Sequence, residues 1–341
     1  LPACRSTSPA SSPGHDFRAM SVAARAEALA RTGRGLEARA LIEDAAFRGD
    51  GVALLMMAFW RLYGVNGPRD WVDMHRLLDR AIAGGHTPAL TLKATLTANG
   101  TGVPADWAAA MRLLAKAAKR DAPAKAQLEL LKAQDAVEDA GAGRALPAPQ
   151  RLADSPDAVL FPGLVRPAEC RWLIAAATPE IRPSTIVDPI TGQSRADPMR
   201  RAGATNLGPE RVDPVVQMLL QRLARASQTT LPQFEAMAVL RYQPGDEYRD
   251  HLDTLPGVEN QRHTTVLTYL NDDYDGGATV FPESGLSVKG KRGDVLVFRN
   301  LDSAGRPDPA TRHAGTPVTR GTKWLSSCWI RQRAYDSWSA R

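Results

Sequence analysis

A sequence repeat occupies the first third of the chain and restricts what it can fold into. Shifting the sequence against itself by 36 residues aligns RDWVDMHRLLDRAIAGG (69–85) with ADWAAAMRLLAKAAKRD (105–121). A weaker copy, ALIEDAAFRGD (40–50), lies at the same offset. A period of this length with helical apolar spacing is typical of stacked helical hairpins, each of which buries its apolar side against its neighbours. The repeat therefore predicts an all-α domain over residues 21–139.

Each strong copy begins with a polar turn that predicts where a helix starts. GVNGPRD and GTGVPAD combine glycine and proline with a final aspartate, Asp70 or Asp106, whose side chain can cap the next helix. Trp71 and Trp107 follow these caps and are expected in the interhelix core, since a stacked repeat must bury an apolar stripe. The turns resemble those of Sel-like repeats, a branch of the tetratricopeptide family. This resemblance implies that the concave surface of the array is the candidate binding face.

The composition changes on both sides of the repeat. The opening LPACRSTSPASSPGHDF lacks an initial Met and is rich in Ser and Pro, so residues 1–20 are expected to form a flexible leader, of which 1–19 need not be native. AGAGRALPAPQRLADSP (140–156) contains Gly, Ala and Pro without periodicity and predicts a linker. Residues 157–341 are then expected to form a second domain.

The second domain combines two predicted helices with many short strands. VRPAECRWLIAAAT and ERVDPVVQMLLQRLARAS each space their apolar residues for one buried helical face. After residue 235, AMAVLRY, TTVLTYL, ATVF, DVLVF and KWLSSCWI have strand character, with Gly, Pro and Asp turns between them. This order predicts helices that back a β-sandwich or small barrel.

Composition and charge exclude several classes of protein. Cys4, Cys170 and Cys328 lie too far apart to suggest a disulfide framework or a zinc site, and they favour a reducing compartment. No apolar run approaches the roughly 18 residues of a membrane span, so a cytoplasmic protein with no membrane partner is expected. The net charge of +6 is scattered without a basic run, so nucleic acid is not an expected partner.

The positions of a few histidines suggest a metal site. The chain has six histidines, and His251 comes two residues before Asp253 in HLD. In an extended segment, side chains two apart project to the same side and can both reach one metal ion. His263 and His313 are the other histidines in this half, and either could supply a third ligand. Two histidines and one carboxylate with open positions are the ligand set of non-haem Fe(II) oxygenases.

A lysine in the last predicted strand suggests an anionic co-substrate. Lys323 comes ten residues after His313. A cation inside a barrel of apolar strands is costly unless it meets an anion. The C5 carboxylate of 2-oxoglutarate would be that anion.

Residues 157–333 resemble the prolyl 4-hydroxylase family of Fe(II)/2-oxoglutarate dioxygenases. The resemblance runs, in the family's order, through YQPGDEYRDHLD, TVLTYLND, GGATVFPE, KRGDVLVF and RHAGTPVTRGTKWLSSCWI. It implies a two-domain α+β chain, in which helical-hairpin repeats precede a double-stranded β-helix (jelly-roll or cupin-like) with supporting helices. It also implies that His251, Asp253 and His313 bind iron and that Lys323 anchors the C5 carboxylate of 2-oxoglutarate.

The same resemblance implies roles for several aromatic and hydroxyl side chains. Tyr242 and Thr265 are expected to contact the co-substrate. Tyr248 and Trp329 are expected to line the substrate entrance. Tyr269 lies on the same strand face as Thr265 and either approaches the co-substrate or fills the barrel.

The resemblance implies an Fe(II)- and 2-oxoglutarate-dependent hydroxylase that uses O2, with ascorbate as reductant, and releases succinate and CO2. The expected substrate is a prolyl or other residue of a peptide or protein, held by the helical repeats, because such arrays commonly bind extended chains. Two alternatives stay open. One is a hydroxylase of a free amino acid or small molecule, and the other is a repeat scaffold with a sensory or inactive oxygenase module. The repeats could equally serve assembly, and an oligomer is compatible with the sequence.

Overall fold

The structure is a computed structural model, and the chain divides into two units, Leu1–Leu128 and Glu129–Arg341. The residues that it describes are 20–135, 145–187, 194–197 and 199–338. The expected leader over residues 1–19 therefore lies outside the described residues, as do residues 140–144 of the expected linker.

The first unit consists of helices that pack in sequence order. They are α1 (Val22–Arg31), α2 (Gly35–Phe47), α3 (Gly51–Tyr63), α4 (Trp71–Ala83), α5 (Thr87–Asn99), α6 (Trp107–Ala117) and α7 (Ala122–Asp135), the last of which continues past the unit boundary. Helices α1 and α2, α3 and α4, and α5 and α6 pack against each other as neighbours. The predicted helical-hairpin repeat is thus confirmed.

The turns repeat with the sequence period. Gly64 and Gly100 end α3 and α5 in left-handed conformations, with φ of 74° and 75°, which a residue without Cβ adopts at little cost. Asp70 and Asp106 then cap α4 and α6, because each side chain accepts a hydrogen bond from the backbone N–H three residues further on. Both predicted caps are therefore present.

The apolar stripe of the repeat is buried unevenly. Leu78 and Leu114 are completely buried, as an interhelix core requires. Trp71 and Trp107 are only half-buried, because each is the first residue of its helix, at the end of the stripe. The prediction that the tryptophans lie in the core is correct only for part of each side chain.

The second unit, as far as the structure describes it, is a β-domain with two α-helices after the end of α7. Its helices are α8 (Pro167–Ala177) and α9 (Pro214–Ser227). Its strands are β1 (Gln150–Ala153), β2 (Ala158–Phe161), β3 (Arg182–Pro183), β4 (Thr185–Val187), β5 (Ser194–Ala196), β6 (Arg200–Arg201), β7 (Gly203–Leu207), β8 (Met237–Tyr242), β9 (Glu247–His251), β10 (Arg262–Tyr269), β11 (Tyr274–Gly276), β12 (Thr279–Phe281), β13 (Leu286–Val288), β14 (Val295–Arg299), β15 (His313–Gly315), β16 (Val318–Gly321) and β17 (Lys323–Arg331).

Two antiparallel sheets form the body of this unit. The larger has the strand order β1-β2-β14-β10-β17-β8-β7-β3, and the smaller has the order β13-β12-β15-β9-β6. Phe281 of the smaller sheet packs in one cluster with Leu240, Leu267 and Leu325 of the larger, so the sheets face each other across a shared core. This arrangement is a double-stranded β-helix, as the resemblance implied.

The two helices cover the outer face of the larger sheet. Leu173 of α8 and Leu223 of α9 pack in one buried cluster with Val266 of β10 and with Cys328 and Ile330 of β17. Because successive strand residues alternate between faces, the intervening residues of β17 point to the space between the sheets. The expectation of helices backing a sandwich is confirmed.

Two features differ from the predictions. Residues 150–153 of the expected linker form β1, which pairs with β2 and belongs to the larger sheet. Other short strands, among them β3 to β7, β9, β11, β13, β15 and β16, were not predicted because they lack a clear apolar alternation. None of the helices in the described part of the chain has the length and apolar character needed to span a bilayer.

Candidate active site

Pairing of β9 with β15 places two histidines side by side. His251 and His313 are direct partners in the antiparallel register, and their ring centroids lie 4.2 Å apart. In each ring Nδ1 lies within hydrogen-bond distance of the backbone carbonyl two residues earlier, at 2.7 Å for Arg249 O and 2.9 Å for Thr311 O. A carbonyl only accepts, so Nδ1 carries the proton and Nε2 keeps a free lone pair in each neutral ring.

Asp253 completes a group of three converging ligand atoms. Its Oδ1 lies 3.6 Å from His251 Nε2, and its Oδ2 lies 3.8 Å from His313 Nε2. One ligand atom from each residue lies within 4.8 Å of the others. His251 Nε2 is buried and has no hydrogen-bond partner among the described residues. Two imidazoles and one carboxylate in this arrangement fit a non-haem Fe(II) ion.

The electrostatics of the three residues suit a metal ion. Burial by itself would raise the pKa of Asp253, but the neighbouring histidines and the Thr265 hydroxyl hold that pKa well below its usual range. Burial lowers the pKa of His313. The group therefore offers an ionised carboxylate and a neutral His313 imidazole, which are the forms that bind metals.

His263 lies apart from this group. Its Nδ1 is 2.7 Å from Thr264 Oγ1, and burial lowers its pKa. The sequence left open whether His263 or His313 supplies the third ligand. In the structure His313 lies beside His251 and Asp253, and His263 does not.

Lys323 is buried, and no acidic side chain in the described part of the chain forms an ion pair with it. Its residue is 3% exposed, and its Nζ donates a hydrogen bond of 2.7 Å to the Gly277 carbonyl. The Tyr242 and Tyr269 rings lie 5.4 Å and 5.6 Å from Nζ. Burial lowers the pKa of Lys323 to about 7. Since no described residue forms an ion pair with it, an anion that enters the pocket would stabilise the charged form.

A single pocket connects the histidines with the lysine. Its lining consists of Leu240, Tyr242, Tyr248, His251, Asp253, Leu267, Thr279, His313, Gly315, Lys323, Leu325, Ser327 and Trp329. The sequence-predicted residues Tyr242, Tyr248 and Trp329 are thus brought together with the predicted ligands and Lys323. Thr279 was not predicted, although its alternation with Phe281 in ATVF places it on the inner face of β12.

Thr265 and Tyr269, which the sequence offered as co-substrate contacts, are not among the residues that line this pocket. Thr265 is completely buried, and its hydroxyl donates a hydrogen bond of 2.6 Å to Asp253 Oδ2. Tyr269 is also completely buried, and its hydroxyl lies 3.0 Å from Thr279 Oγ1. Both side chains therefore support residues that line the pocket, and Tyr269 fills the barrel.

Two arginines that the sequence did not single out support the aromatic walls. The Tyr248 ring stacks on His251 at 3.6 Å, and the Arg200 guanidinium lies 5.3 Å from the same tyrosine ring. The Arg262 guanidinium lies 4.1 Å from the Trp329 ring and makes two hydrogen bonds of 2.8 Å to the Glu235 carboxylate. A charged residue two positions before TTVLTYL was the available sequence signal for Arg262.

Comparison with known proteins places this site in a family. The 2OG-Fe(II) oxygenase superfamily profile matches residues 237–331. Prolyl 4-hydroxylase 1 of Arabidopsis thaliana is 34% identical over 205 residues, which cover 54% of this chain and 72% of the relative. Among solved structures, the chain is similar to the viral collagen prolyl hydroxylase of Paramecium Bursaria Chlorella virus-1 in its 2OG complex, with 25% identity, a TM-score of 0.42, and coverage of 51% of this chain and 95% of that one.

A further likeness concerns a repeat protein. The Sel1 repeat protein of Oxalobacter formigenes is 22% identical, with a TM-score of 0.29, over 31% of this chain and 46% of that one.

The superfamily match covers the strands that carry His251, Lys323 and Trp329, together with His313. The superfamily and the His–Asp–His group together support Fe(II) as the metal and 2-oxoglutarate and O2 as the co-substrates of this site. With a relative of this identity and coverage, the chain belongs to the prolyl 4-hydroxylase family of 2OG-Fe(II) oxygenases.

Proposed function

We propose that this enzyme hydroxylates prolyl residues of a peptide or protein and converts 2-oxoglutarate to succinate and CO2. The observation that carries the proposal is one pocket that is lined by the His251, Asp253 and His313 group, by Lys323 and by three aromatic side chains. The family relatives are prolyl 4-hydroxylases, which supports a prolyl substrate.

Each part of the pocket has a distinct task in this reaction. When bound, Fe(II) with 2-oxoglutarate and O2 supplies the oxidation that replaces a substrate C–H bond with C–OH. His251 and His313 hold the metal through Nε2, and their Nδ1–H bonds to backbone carbonyls fix the ring orientation. Lys323, in its protonated form, binds the C5 carboxylate of 2-oxoglutarate and so orients the co-substrate.

The aromatic residues are proposed to position the substrate. Tyr248 lies against His251, and Trp329 shares the pocket lining. Their ring faces provide apolar walls suited to a pyrrolidine ring, and they exclude water from the reacting carbon. Arg262 lies over one face of the Trp329 indole, and Glu235 holds the Arg262 guanidinium in this position.

The test compares two peptides that differ at one residue. A proline-containing peptide should accelerate succinate formation well above the rate without peptide, whereas the same peptide with alanine for proline should not. His251→Ala, Asp253→Ala and His313→Ala should each abolish iron-dependent turnover, and His263→Ala is the control that keeps it. Equal stimulation by both peptides would refute the prolyl assignment, and activity in His313→Ala would refute the ligand set.

The same assay separates the alternatives. Stimulation by free proline or another free amino acid, without stimulation by peptide, would favour a small-molecule hydroxylase. A folded protein that makes no succinate under any of these conditions would favour a scaffold with an inactive oxygenase module. Ascorbate is proposed as the reductant that keeps iron in the Fe(II) state, so its omission should reduce the number of turnovers.

We also propose that the helical repeats hold part of the peptide substrate. A groove of about 620 Å³ lies between α4, α5 and α6 of the first unit. Lys93, Arg112 and Lys116 contribute basic side chains to it, and of its two aspartates Asp79 forms an ion pair with Lys93 while Asp106 caps α6. The remaining basic side chains favour an acidic segment of the peptide.

The double variant Arg112→Ala/Lys116→Ala tests this role. It should raise KM for a long peptide with acidic flanks and leave KM for a short proline peptide unchanged. Lys119→Ala, a charge removal on an exposed residue outside the groove lining, is the matched control. If the double variant and the wild type have equal KM values for the long peptide, the repeats serve assembly or stability instead.

A further inference from the structure

A chain of buried polar side chains ends on Asp253. Asn300, the first residue after β14, is completely buried, as is Thr265 of β10. Asn300 Nδ2 lies 2.9 Å from Thr265 Oγ1, which lies 2.6 Å from Asp253 Oδ2. Neither Asn300 nor Thr265 lines the pocket, so neither is placed to touch a substrate.

The chemistry of the groups fixes the direction of these hydrogen bonds. The ionised Asp253 carboxylate can only accept, so the Thr265 hydroxyl must donate its proton to it. The Thr265 oxygen then accepts from Asn300, and only the NH2 side of the Asn300 amide can donate. The amide orientation is therefore determined, although it leaves Asn300 Oδ1 without a partner among the described residues.

This direction restricts how Asp253 can present its two oxygens. Oδ2 is occupied by a short hydrogen bond to a buried donor, whereas Oδ1 faces His251 Nε2 at 3.6 Å. A carboxylate held in this way has less rotational freedom to lose when it binds a metal ion. Hydrogen bonds to the ligands of a metal commonly change its affinity about 10–100-fold when they are removed.

We propose that Thr265 and Asn300 are positioning residues that act in series: Asn300 orients the Thr265 hydroxyl, which in turn fixes the Asp253 carboxylate for metal binding. The inference rests on the proposed iron site. A purely structural role is the competing account, because the Asn300 backbone also bonds to His263 O and to the Asp308 N–H. The two accounts differ in what they predict for metal affinity in a folded variant.

Titration with Co(II) in the absence of 2-oxoglutarate provides a readout that does not depend on turnover. Thr265→Val keeps the side-chain shape but removes the hydroxyl, and it should weaken Co(II) binding about 10–100-fold. Thr265→Ser keeps the hydroxyl and should bind Co(II) within a few-fold of the wild type. A folded Thr265→Val protein, judged by its thermal unfolding, that binds Co(II) as the wild type does would overturn the proposal. A wild-type protein that binds no Co(II) would instead overturn the proposed metal site itself.

A double-variant comparison tests the serial order. Asn300→Leu should weaken Co(II) binding several-fold in the wild-type background and cause no further loss in the Thr265→Val background, because its effect passes through the missing hydroxyl. Additive losses would overturn the serial arrangement. If Asn300→Leu does not fold, Asn300→Ser, which keeps a polar side chain at this position, replaces it in both backgrounds.

Discussion

Two buried charged side chains of the pocket, Lys323 and Asp253, differ in their electrostatic surroundings. Both are buried in the same pocket, but their surroundings stabilise the charged form of only one of them. Asp253 has two histidines and a hydroxyl around it, which stabilise its ionised form. Lys323 has a carbonyl and two aromatic rings, which do not offset the loss of water. An added metal ion suits the first site, and an added carboxylate suits the second.

Removal of the lysine charge should therefore weaken the binding of 2-oxoglutarate and leave the binding of the metal ion unchanged. Lys323→Ala should raise KM for 2-oxoglutarate strongly, since loss of one partner of a buried charge pair costs about 2–5 kcal/mol. Co(II) affinity without co-substrate should change little. Lys291→Ala, on an exposed lysine of the same unit, is the control. A fall in metal affinity with an unchanged KM would contradict the assigned role.

The lowered pKa of Lys323 predicts a pH dependence of co-substrate binding. The unliganded lysine loses its proton near pH 7, and the bound carboxylate requires the protonated form, so binding takes up a proton. KM for 2-oxoglutarate should then rise as pH increases above about 7, approaching roughly tenfold per pH unit. Steady-state kinetics between about pH 6 and pH 9 measure this. Lys323→Arg, whose side chain stays protonated, should show no such rise. A flat wild-type profile would show that Lys323 stays charged without co-substrate.

At the scale of elements, regular patterns in the sequence predicted the helical repeat, the two helices of the second unit and the apolar strands β8, β10, β12, β14 and β17, but not most of the short strands. Strand alternation in KWLSSCWI places Lys323 and Trp329 on one face, and both line the pocket. The contact between Thr265 and Asp253 could not be read in the same way, because it joins β10 to the turn after β9. Asn300 follows DVLVF as an ordinary polar residue at a strand end, and only the fold brings it to Thr265. Local periodicity thus predicts strand faces, whereas contacts between distant strands depend on pairing and register.

The helix caps of the repeat make a stability prediction. Asp70→Ala removes the side chain that accepts from the Asp73 N–H at 2.9 Å, and it should lower the free energy of unfolding of the helical unit by about 1 kcal/mol. Asp70→Ser keeps a capping oxygen and should retain most of that stability. Urea unfolding followed by circular dichroism measures the difference. Peptide-independent succinate formation should not change in either variant, because the pocket residues lie in the other unit. A loss of that activity would contradict this separation.

At the scale of the whole molecule, the chain joins a helical-repeat unit to an oxygenase unit. The change in composition near residue 140 predicts two domains, and the structure divides after Leu128, within α7. Residues 136–144 lie outside the described part of the chain. A change in composition shows where an apolar pattern ends. It does not show which unit the last helix of the repeat, α7, packs against. The boundary depends on the contacts of this helix, whereas the proposed ligands lie in short motifs of recognisable order.

The central claim is that the protein transfers one oxygen atom to a prolyl residue while it consumes 2-oxoglutarate. The most direct measurement is mass spectrometry of a peptide library, with and without proline, after incubation with the full chain, Fe(II), 2-oxoglutarate, ascorbate and air. We predict a mass gain of one oxygen atom on proline residues, with an equal amount of succinate formed above the peptide-free background, and no gain with His313→Ala. Succinate formation with no modified peptide, or a gain of oxygen only on residues other than proline, would contradict the account.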